Sequence, residues 1–247
     1  MKNFFINFFY KALFFATLGF VLFLSFSKNN YNWNWPVIWN YKEKLLTGWI
    51  TTLKISILSL ALSLLLGWIL LIGQRFFLFL KIFCQSWINL IRGTPLLVQI
   101  LIFFYVIANA AGLNNRFWLA VLILSNFSAA YISEILRAAL QGIPQSQWDA
   151  AKALGLSRRQ TYLHVILPQL FKAALPALAG QFASIVKDSS LLSVIAVSEF
   201  TLSAQEINSL TYSTLEAYIP LAIGYLLITA PIAWISHKIE MKLQYEA

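Results

Sequence analysis

Charged side chains capable of binding a polar ligand stand at isolated positions within otherwise apolar stretches of this chain. Arg92, Glu134, Lys187 and Asp188 are the main examples. A charge at the centre of a bilayer costs roughly 2.5–3.5 kcal/mol on insertion scales, so we expect these side chains to face protein or water. They either hold a structural network of ion pairs or line a pathway for a polar solute. The sequence leaves both interpretations open.

Patterns for catalysis or metal binding are weak in this sequence. It contains no G-x-x-x-x-G-K-[ST] motif and so has no phosphate-binding loop of its own for ATP. Ser157, which follows Gly155 and Leu156, is better explained as a helix cap than as a nucleophile. His164 and His237 have no cysteine or carboxylate at ligand spacing. We therefore expect neither a metal site nor enzymatic activity.

The composition indicates a chain of membrane-spanning helices. Of its 247 residues, 60% are hydrophobic and 11% are charged, which is too little polar surface for a soluble globule of this size. Runs such as LKISILSLALSLLLGWILLIG are continuously apolar, unlike the alternating strands of a transmembrane barrel. Six stretches approach the roughly 20 residues that a spanning helix needs. They are residues 4–26, 46–72, 82–108, 117–138, 169–197 and 217–236.

The distribution of basic residues predicts the orientation. The net charge of +9 could suggest nucleic acid, but the basic residues cluster at the ends of apolar stretches, as the positive-inside rule requires. We expect a multi-pass protein of a bacterial cell (inner) membrane, with both termini in the cytoplasm and no nucleic-acid partner. The first stretch also fits a cleaved signal peptide, but its apolar run is long for one. We therefore expect it to span the membrane.

A polar segment separates the fourth and fifth apolar stretches and has the pattern of two short helices. From Glu134 to Pro168 the sequence is EILRAALQGIPQSQWDAAKALGLSRRQTYLHVILP. Two residue pairs in it have the spacing of a helix N-terminal cap, Ser146 with Asp149 and Ser157 with Gln160. Gly155 is expected to end the first helix, and Pro168 to restart the next spanning one. Such a pair either anchors the protein at the membrane surface or docks into a partner's groove.

The spacing of this segment resembles the EAA loop of bacterial ABC-importer membrane subunits. DAAKALG is followed by nine residues and then VILP, where that family has EAA, three residues, Gly, nine residues and I-x-L-P. Asp149 and Val165 replace the usual Glu and Ile. In that family the loop forms a coupling helix that docks onto the ATP-hydrolysing subunit. The coupling residues that the resemblance implies are Trp148, Asp149, Ala150, Ala151, Gly155, Leu167 and Pro168.

Further motifs resemble the polar amino-acid branch of the same family. They are RGTPLLVQ at 92–99, AYISE at 130–134 and KDSSL at 187–191, together with Glu199. Gly93, Thr94 and Pro95 also predict a helix break, since proline removes a backbone donor and glycine permits unusual φ angles. The implied substrate-path or gate candidates are Arg92, Thr94, Glu134, Lys187, Asp188, Ser189 and Glu199.

The resemblance implies an all-α, polytopic transmembrane bundle of the MetI-like ABC-importer permease type, with about six spanning helices. Residues 1–45 are expected to form an N-terminal transmembrane helix and external loop, and residues 46–240 the transmembrane domain with its coupling loop at 142–168. The implied function is the pathway of an ATP-driven amino-acid importer. A non-transporting membrane anchor or sensor, and an intramembrane enzyme, are the alternatives.

The resemblance also implies an assembly around this chain. Two ATP-binding subunits would lie on the cytoplasmic face, and an extracytoplasmic substrate-binding protein would deliver the solute. A second permease subunit, either identical or a paralogue, would complete the pathway within the membrane lipid. ATP would be bound by the partner subunit, so this chain is expected to carry no cofactor. The identity of the amino acid stays open.

Overall fold

The computed structural model describes residues 16, 17, 20, 31, 33–75 and 77–245. The predicted first span, residues 4–26, therefore lies outside the described residues apart from three positions. Within the described part every regular element is helical, which confirms the all-α prediction. The α-helices are α1 (Trp35–Asn40), α2 (Lys42–Gly73), α3 (Leu78–Gly93), α4 (Leu96–Ile102), α5 (Arg116–Gln141), α6 (Gln145–Ala153), α7 (Arg158–Gln160), α8 (Leu167–Asp188), α9 (Phe200–Thr211) and α10 (Thr214–Tyr245).

The helices account for most of the predicted spans. Among the described residues, four uninterrupted helical segments are long and apolar enough to cross a membrane, Lys42–Gly73, Arg116–Gln141, Arg158–Ile195 and Thr214–Lys242. A fifth candidate combines α3 with the helical stretch that runs on to Ala108, and the two parts are bent by 109°. This bend lies at the predicted break. The expectation of about six spans is thus approximate.

The centre of the bundle is α5, which packs against α2, α3 and α8. Small residues allow α2 to approach it closely. A Cβ added to Gly67 would lie 2.6 Å from Cγ2 of Ile132, and the Ser59 hydroxyl donates to the Val121 carbonyl at 3.3 Å. Close backbone approach through glycine and serine is how helices associate where no water drives them together. The α2–α5 pair therefore forms a rigid centre for the polar sites described below.

The return of the polar segment to the membrane differs from the sequence-based expectation. Pro168 was expected to begin a new helix, but α7 continues through a π-helical segment, Thr161–Ile166, directly into α8. Proline cannot donate to the carbonyl four residues earlier and its ring crowds that carbonyl. A wider π-helical turn relieves this conflict because its hydrogen bonds reach one residue further. The prediction of a break at Pro168 was therefore wrong.

At the opposite end of the chain, the segment before α1 is attached to the start of α10. The Tyr31 hydroxyl donates to the carboxylate of Glu216, and the backbone N–H of Asn34 donates to Glu216 Oε1 at 2.5 Å. The Trp33 and Trp35 rings stack with centroids 5.7 Å apart. These contacts hold the aromatic segment against the bundle. Tryptophan rings in such a segment commonly lie at the membrane surface.

Candidate functional site

The polar hairpin from Gly142 to Pro168 contains α6 and α7 joined by a glycine turn. Gly155 has φ +69°, its N–H donates to the Lys152 carbonyl at 3.0 Å, and the N–H of Leu156 donates to the Ala151 carbonyl at 3.1 Å. These two bonds are typical of a helix that ends in a left-handed residue. The prediction that the first helix ends at Gly155 is confirmed.

The cap of the second short helix also matches its prediction, whereas the cap of the first does not. The Ser157 side chain accepts from the N–H of Gln160 at 3.3 Å, and the Gln160 side chain accepts from the N–H of Ser157 at 2.9 Å. By contrast, α6 begins at Gln145 with no side-chain cap. Ser146 therefore lies inside the helix, and Asp149 accepts from the Gln145 amide at 3.2 Å instead. The predicted Ser146 cap was wrong because the chain already turns into the helix after Pro144.

The predicted coupling residues divide between two faces of the hairpin. Ala151 is buried, and the Trp148 ring meets the Tyr162 ring edge to face with centroids 5.4 Å apart. Asp149 and Ala150 point outward with Gly155. Leu154, beside that glycine, is 79% exposed. Of the two remaining coupling residues, Leu167 is half-buried and Pro168 is exposed. One face therefore packs on the bundle while the other presents small and apolar side chains to the outside.

A charged triad connects α3 to α5. Glu134 accepts two hydrogen bonds from Arg137, at 2.9 Å from Nε and 2.8 Å from Nη2. Arg92, at the end of α3, lies 3.2 Å from the same carboxylate and stacks over the Tyr131 ring at 5.6 Å. The Glu134 carboxylate is thus shared by Arg92 of α3 and by Arg137 of its own helix, α5. Arg92 and Glu134 were selected from the sequence, and the structure brings them together with Arg137.

Gln99 bridges the helix break at Gly93, Thr94 and Pro95, and sequence reasoning did not select it. Its side-chain amide donates to the Thr94 carbonyl at 3.1 Å and to the Thr94 hydroxyl at 2.8 Å. Gln99 is buried, and an unpaired amide there would be costly. The feature of the sequence that could have identified Gln99 was an amide side chain within an apolar stretch, four residues after Pro95.

Lys187, Asp188 and Ser189 mark the change from α8 to a 3₁₀ helix, Ser189–Ile195. Ser189 is fully buried, and its hydroxyl donates to the Val186 carbonyl at 2.8 Å. Lys187 is exposed and Asp188 is half-buried. Within residues 33–75 and 77–245, no other charged side chain forms an ion pair with either of them. These two side chains are therefore available to groups outside the described chain.

Glu199 has a different environment from the other candidates, since it caps α9 from a fully buried position. Its carboxylate accepts from the N–H of Thr201 at 2.8 Å, from the N–H of Leu202 at 2.7 Å and from the Tyr225 hydroxyl at 3.0 Å. Burial raises the pKa of the Glu199 carboxyl, although the two amides and the Tyr225 hydroxyl act in the opposite direction. The geometry favours a role in holding α9.

Glu216 is a second buried carboxylate that the sequence analysis missed. It accepts from Tyr31 and Asn34, and it stands in the first turn of α10, where an acidic side chain is favoured by the helix dipole. Its position at a helix start was the signal that could have identified it. Among the described residues, no group of three or more His, Cys, Asp or Glu side chains is placed to hold a metal ion.

Comparisons with known proteins bear on the family and the fold of this chain. Residues 63–245 match the family model described as "Binding-protein-dependent transport system inner membrane component". The chain is 34% identical over 216 residues to the L-cystine transport system permease protein TcyB of Bacillus subtilis, covering 85% of this chain and 91% of that protein. It is 34% identical over 214 residues to the glutamine transport system permease protein GlnP of Escherichia coli K12, covering 85% and 98%.

Solved structures give the same picture. A crystal structure of an amino acid ABC transporter with histidines is 32% identical, covers 86% of this chain and 100% of its own, and superposes with a TM-score of 0.79. An inward-facing MetNI methionine ABC transporter is 18% identical, covers 83% and 98%, and has a TM-score of 0.65. The second likeness shows the fold alone, and it agrees with the expected MetI-like bundle.

Proposed function

Because this chain belongs to the family of binding-protein-dependent transport system inner membrane components, we propose that it is the membrane-spanning permease subunit of an ATP-driven amino-acid importer. Members of this family are transporter subunits, and the chain is not an enzyme. The names of its relatives refer to L-cystine, glutamine and arginine, which are all amino acids. We propose that this chain also serves the transport of an amino acid, and we do not assign a particular one.

The observation that carries the coupling part of the proposal is the outward face of the 142–168 hairpin. Leu154 is 79% exposed at the tip of a polar hairpin, where Asp149, Ala150 and Gly155 are also open. Small side chains let a groove approach the helix backbone closely, and Leu154 is an apolar anchor for it. This face is the docking surface for a separate ATPase subunit. Its inner face, through Trp148 and Ala151, transmits the displacement to the bundle.

The proposed assembly contains further subunits that bind ATP, complete the pathway and deliver the solute. A pair of ATP-binding subunits holds ATP on the cytoplasmic side, and a second permease, either another copy or a paralogue, completes the pathway. An extracytoplasmic binding protein delivers the amino acid. Both termini lie in the cytoplasm, and surrounding lipid covers the apolar outer faces. The 46–240 segment forms the transmembrane domain, with residues 1–45 as a preceding helix and loop.

The polar candidates have distinct proposed roles in the pathway. Lys187 and Asp188 are the strongest candidates for contact with the solute, since their charges are not used within the described chain. Arg92 and Glu134, with Thr94 at the helix break, form a gate. Ser189 and Glu199 hold the helix ends that position these groups. Rigid-body rocking of helices around such a site is how alternating access operates in other membrane transporters.

The test of this proposal is a substitution at Gly155. A Cβ added there meets no atom within 4 Å, but φ is +69°, so a bulky residue changes the docking surface and strains the backbone by roughly 1–2 kcal/mol. We expect the Gly155→Trp variant to insert and assemble but to lose amino-acid uptake while the ATPase subunit still hydrolyses ATP. The measurement is uptake of a panel of labelled amino acids by the reconstituted assembly.

Gly155→Asn is the matched control, because asparagine tolerates a left-handed conformation and adds little bulk. We expect it to retain most of the uptake. Normal uptake by a stably assembled Gly155→Trp variant contradicts the docking role. Equal loss in both variants contradicts it as well, because the backbone strain and not the docking surface would then be responsible. Absence of amino-acid uptake by the wild-type assembly contradicts the substrate class.

A further inference from the structure

Two cavities of opposite character meet at Arg75, next to the coupling hairpin. The first has a volume of about 500 Å³ and is lined mainly by polar side chains of α3 and α5, including Lys81, Gln85, Glu134 and Arg137. The second has a volume of about 380 Å³ and, apart from Arg75 and Tyr162, is lined by apolar side chains. Both volumes lie within the range of about 300–1,000 Å³ that is typical of ligand pockets. Leu71 and Arg75 line both cavities.

The polar cavity carries an excess of positive charge. Arg75, Lys81 and Arg137 line it, against the single carboxylate of Glu134. That carboxylate is already shared by Arg137 and Arg92. In the described part of the chain, Lys81 forms no ion pair and no side-chain hydrogen bond. An anion is therefore the ligand that the electrostatics of this cavity favour.

The surroundings of the cavity indicate that the anion carries an apolar tail. The first turn of α3 exposes Leu78 and Phe79, which are 71% and 80% exposed and lie between Arg75 and Lys81 in the sequence. Large apolar side chains beside basic ones are typical of a segment at the membrane surface. The apolar cavity, lined by Trp68, Leu140 and Leu170, continues from the basic one. A small free anion would leave this second cavity unused.

We propose that the two cavities together hold one anionic phospholipid. Its phosphate lies in the basic cavity near Lys81 and Arg75, and part of one acyl chain enters the apolar cavity beside Trp68 and Leu170. Basic pockets between transmembrane helices recognise lipid headgroups through the same combination of charge and access from the bilayer. Lipid binding rests on this geometry alone, whereas its effect on transport rests on the proposed function.

The site contacts the coupling hairpin directly, because Tyr162 and Leu167 of the hairpin line the apolar cavity. Arg75 Nη1 donates to the Tyr162 hydroxyl at 3.2 Å, and the Tyr162 ring packs against Trp148 of α6. Tyr162 also lines the apolar cavity. A bound lipid therefore fixes Arg75 and Tyr162 in place, and with them the inner face of the hairpin. Anionic lipid is expected to strengthen the coupling of ATP hydrolysis to uptake.

The experiment is lipid retention by the full-length chain in detergent, measured by native mass spectrometry. The probes are phosphatidylglycerol, which is anionic, and phosphatidylcholine, which has no net charge. We expect the wild-type chain to retain phosphatidylglycerol in preference. Lys81→Gln should weaken this retention about fivefold, from the contribution of one cation to binding an anionic lipid. Ile72→Trp, which fills the apolar cavity from a half-exposed position, should weaken it without changing the charge.

Lys242→Gln is the matched control, since it removes one exposed cation near the end of α10 that lines neither cavity. It should retain the lipid as the wild-type chain does, and inorganic phosphate should not displace it. Equal retention of both lipids, equal effects of Lys81→Gln and Lys242→Gln, or displacement by inorganic phosphate overturns the proposal. Full retention by Ile72→Trp overturns the placement of the acyl chain. Because no transport is measured, failure of this proposal leaves the proposed function standing.

Discussion

The side-chain amide of Gln99 donates a hydrogen bond to the backbone carbonyl of Ile91 at 2.7 Å, across the break between α3 and α4. Helix α3 ends near Ile91 with carbonyls that have no partner in the next turn of helix. Gln99 belongs to the first turns of α4 and supplies one of the missing donors. The 109° bend is therefore held by a single buried side chain as well as by Pro95.

We expect Gln99→Leu to lower the free energy of unfolding by about 1–3 kcal/mol, because it leaves buried carbonyls without a donor. The measurement is thermal unfolding of the purified chain in detergent. Gln85→Leu is the control, since Gln85 is exposed on α3 and should change the stability little. A Gln99→Leu variant as stable as this control would show that the bend does not depend on the amide.

The shared carboxylate of Glu134 gives a second prediction. Glu134→Gln removes the negative charge that holds Arg92 and Arg137 together, and it should cost roughly 1 kcal/mol of stability because the three groups are only partly buried. Uptake should fall much further if the triad is a gate. Glu206→Gln breaks the exposed Lys44 pair at 2.7 Å instead and should leave uptake unchanged. Comparable uptake by the two variants would argue against a gate.

Because α2 and α5 lie in close contact, a single methyl group added at Gly67 should lower the stability of the chain. A Cβ at Gly67 would lie 2.6 Å from Ile132 Cγ2 and 3.3 Å from the Ala129 carbonyl oxygen. Gly67→Ala should therefore destabilise the chain by about 1–3 kcal/mol through overpacking. Gly180→Ala meets no atom within 4 Å and should be neutral or slightly stabilising. Unfolding in detergent measures both, and equal stability of the two variants would contradict this close packing.

The hairpin contains a capping serine and a serine that does not cap, which allows a direct comparison. Ser157→Ala removes the acceptor for the Gln160 N–H and should cost about 0.5–2 kcal/mol of local stability. Hydrogen exchange of the amides in Arg158–Gln160 should then be faster. Ser146→Ala, inside α6, should leave exchange in α6 unchanged. Faster exchange in α6 after Ser146→Ala would indicate that Ser146 does act as a cap.

The features that the sequence predicted correctly depend on short-range geometry. Gly155 and the Ser157–Gln160 pair could be identified because a positive φ and a capping box are properties of three or four neighbouring residues. The start of α6 was misplaced because Pro144, and not a polar side chain, directs the entry into that helix. Continuity through Pro168 could not be foreseen, since it depends on a π-helical turn that has no simple sequence pattern.

Long-range contacts limited prediction of the polar sites. The presence of a charge in an apolar stretch was enough to select Arg92 and Glu134. Their separation in the sequence, however, could not show that the two side chains form an ion pair. Glu199 was selected from the family resemblance, yet its partner Tyr225 comes from another helix, and Thr52 of α2 accepts the N–H of the neighbouring Phe200 at 3.1 Å. A buried carboxylate that caps a helix and one that faces a solute have the same local sequence. Only packing separates them.

The number of residues in the π-helical segment Thr161–Ile166 sets the direction in which the hairpin points. Each residue added to or removed from a helix rotates what lies beyond it by about 100°. A one-residue deletion here would turn Leu154 away from its present direction and bring another face outward, while every side chain on α6 stayed the same. Over evolutionary time this segment should therefore accept changes of residue type far more readily than insertions or deletions.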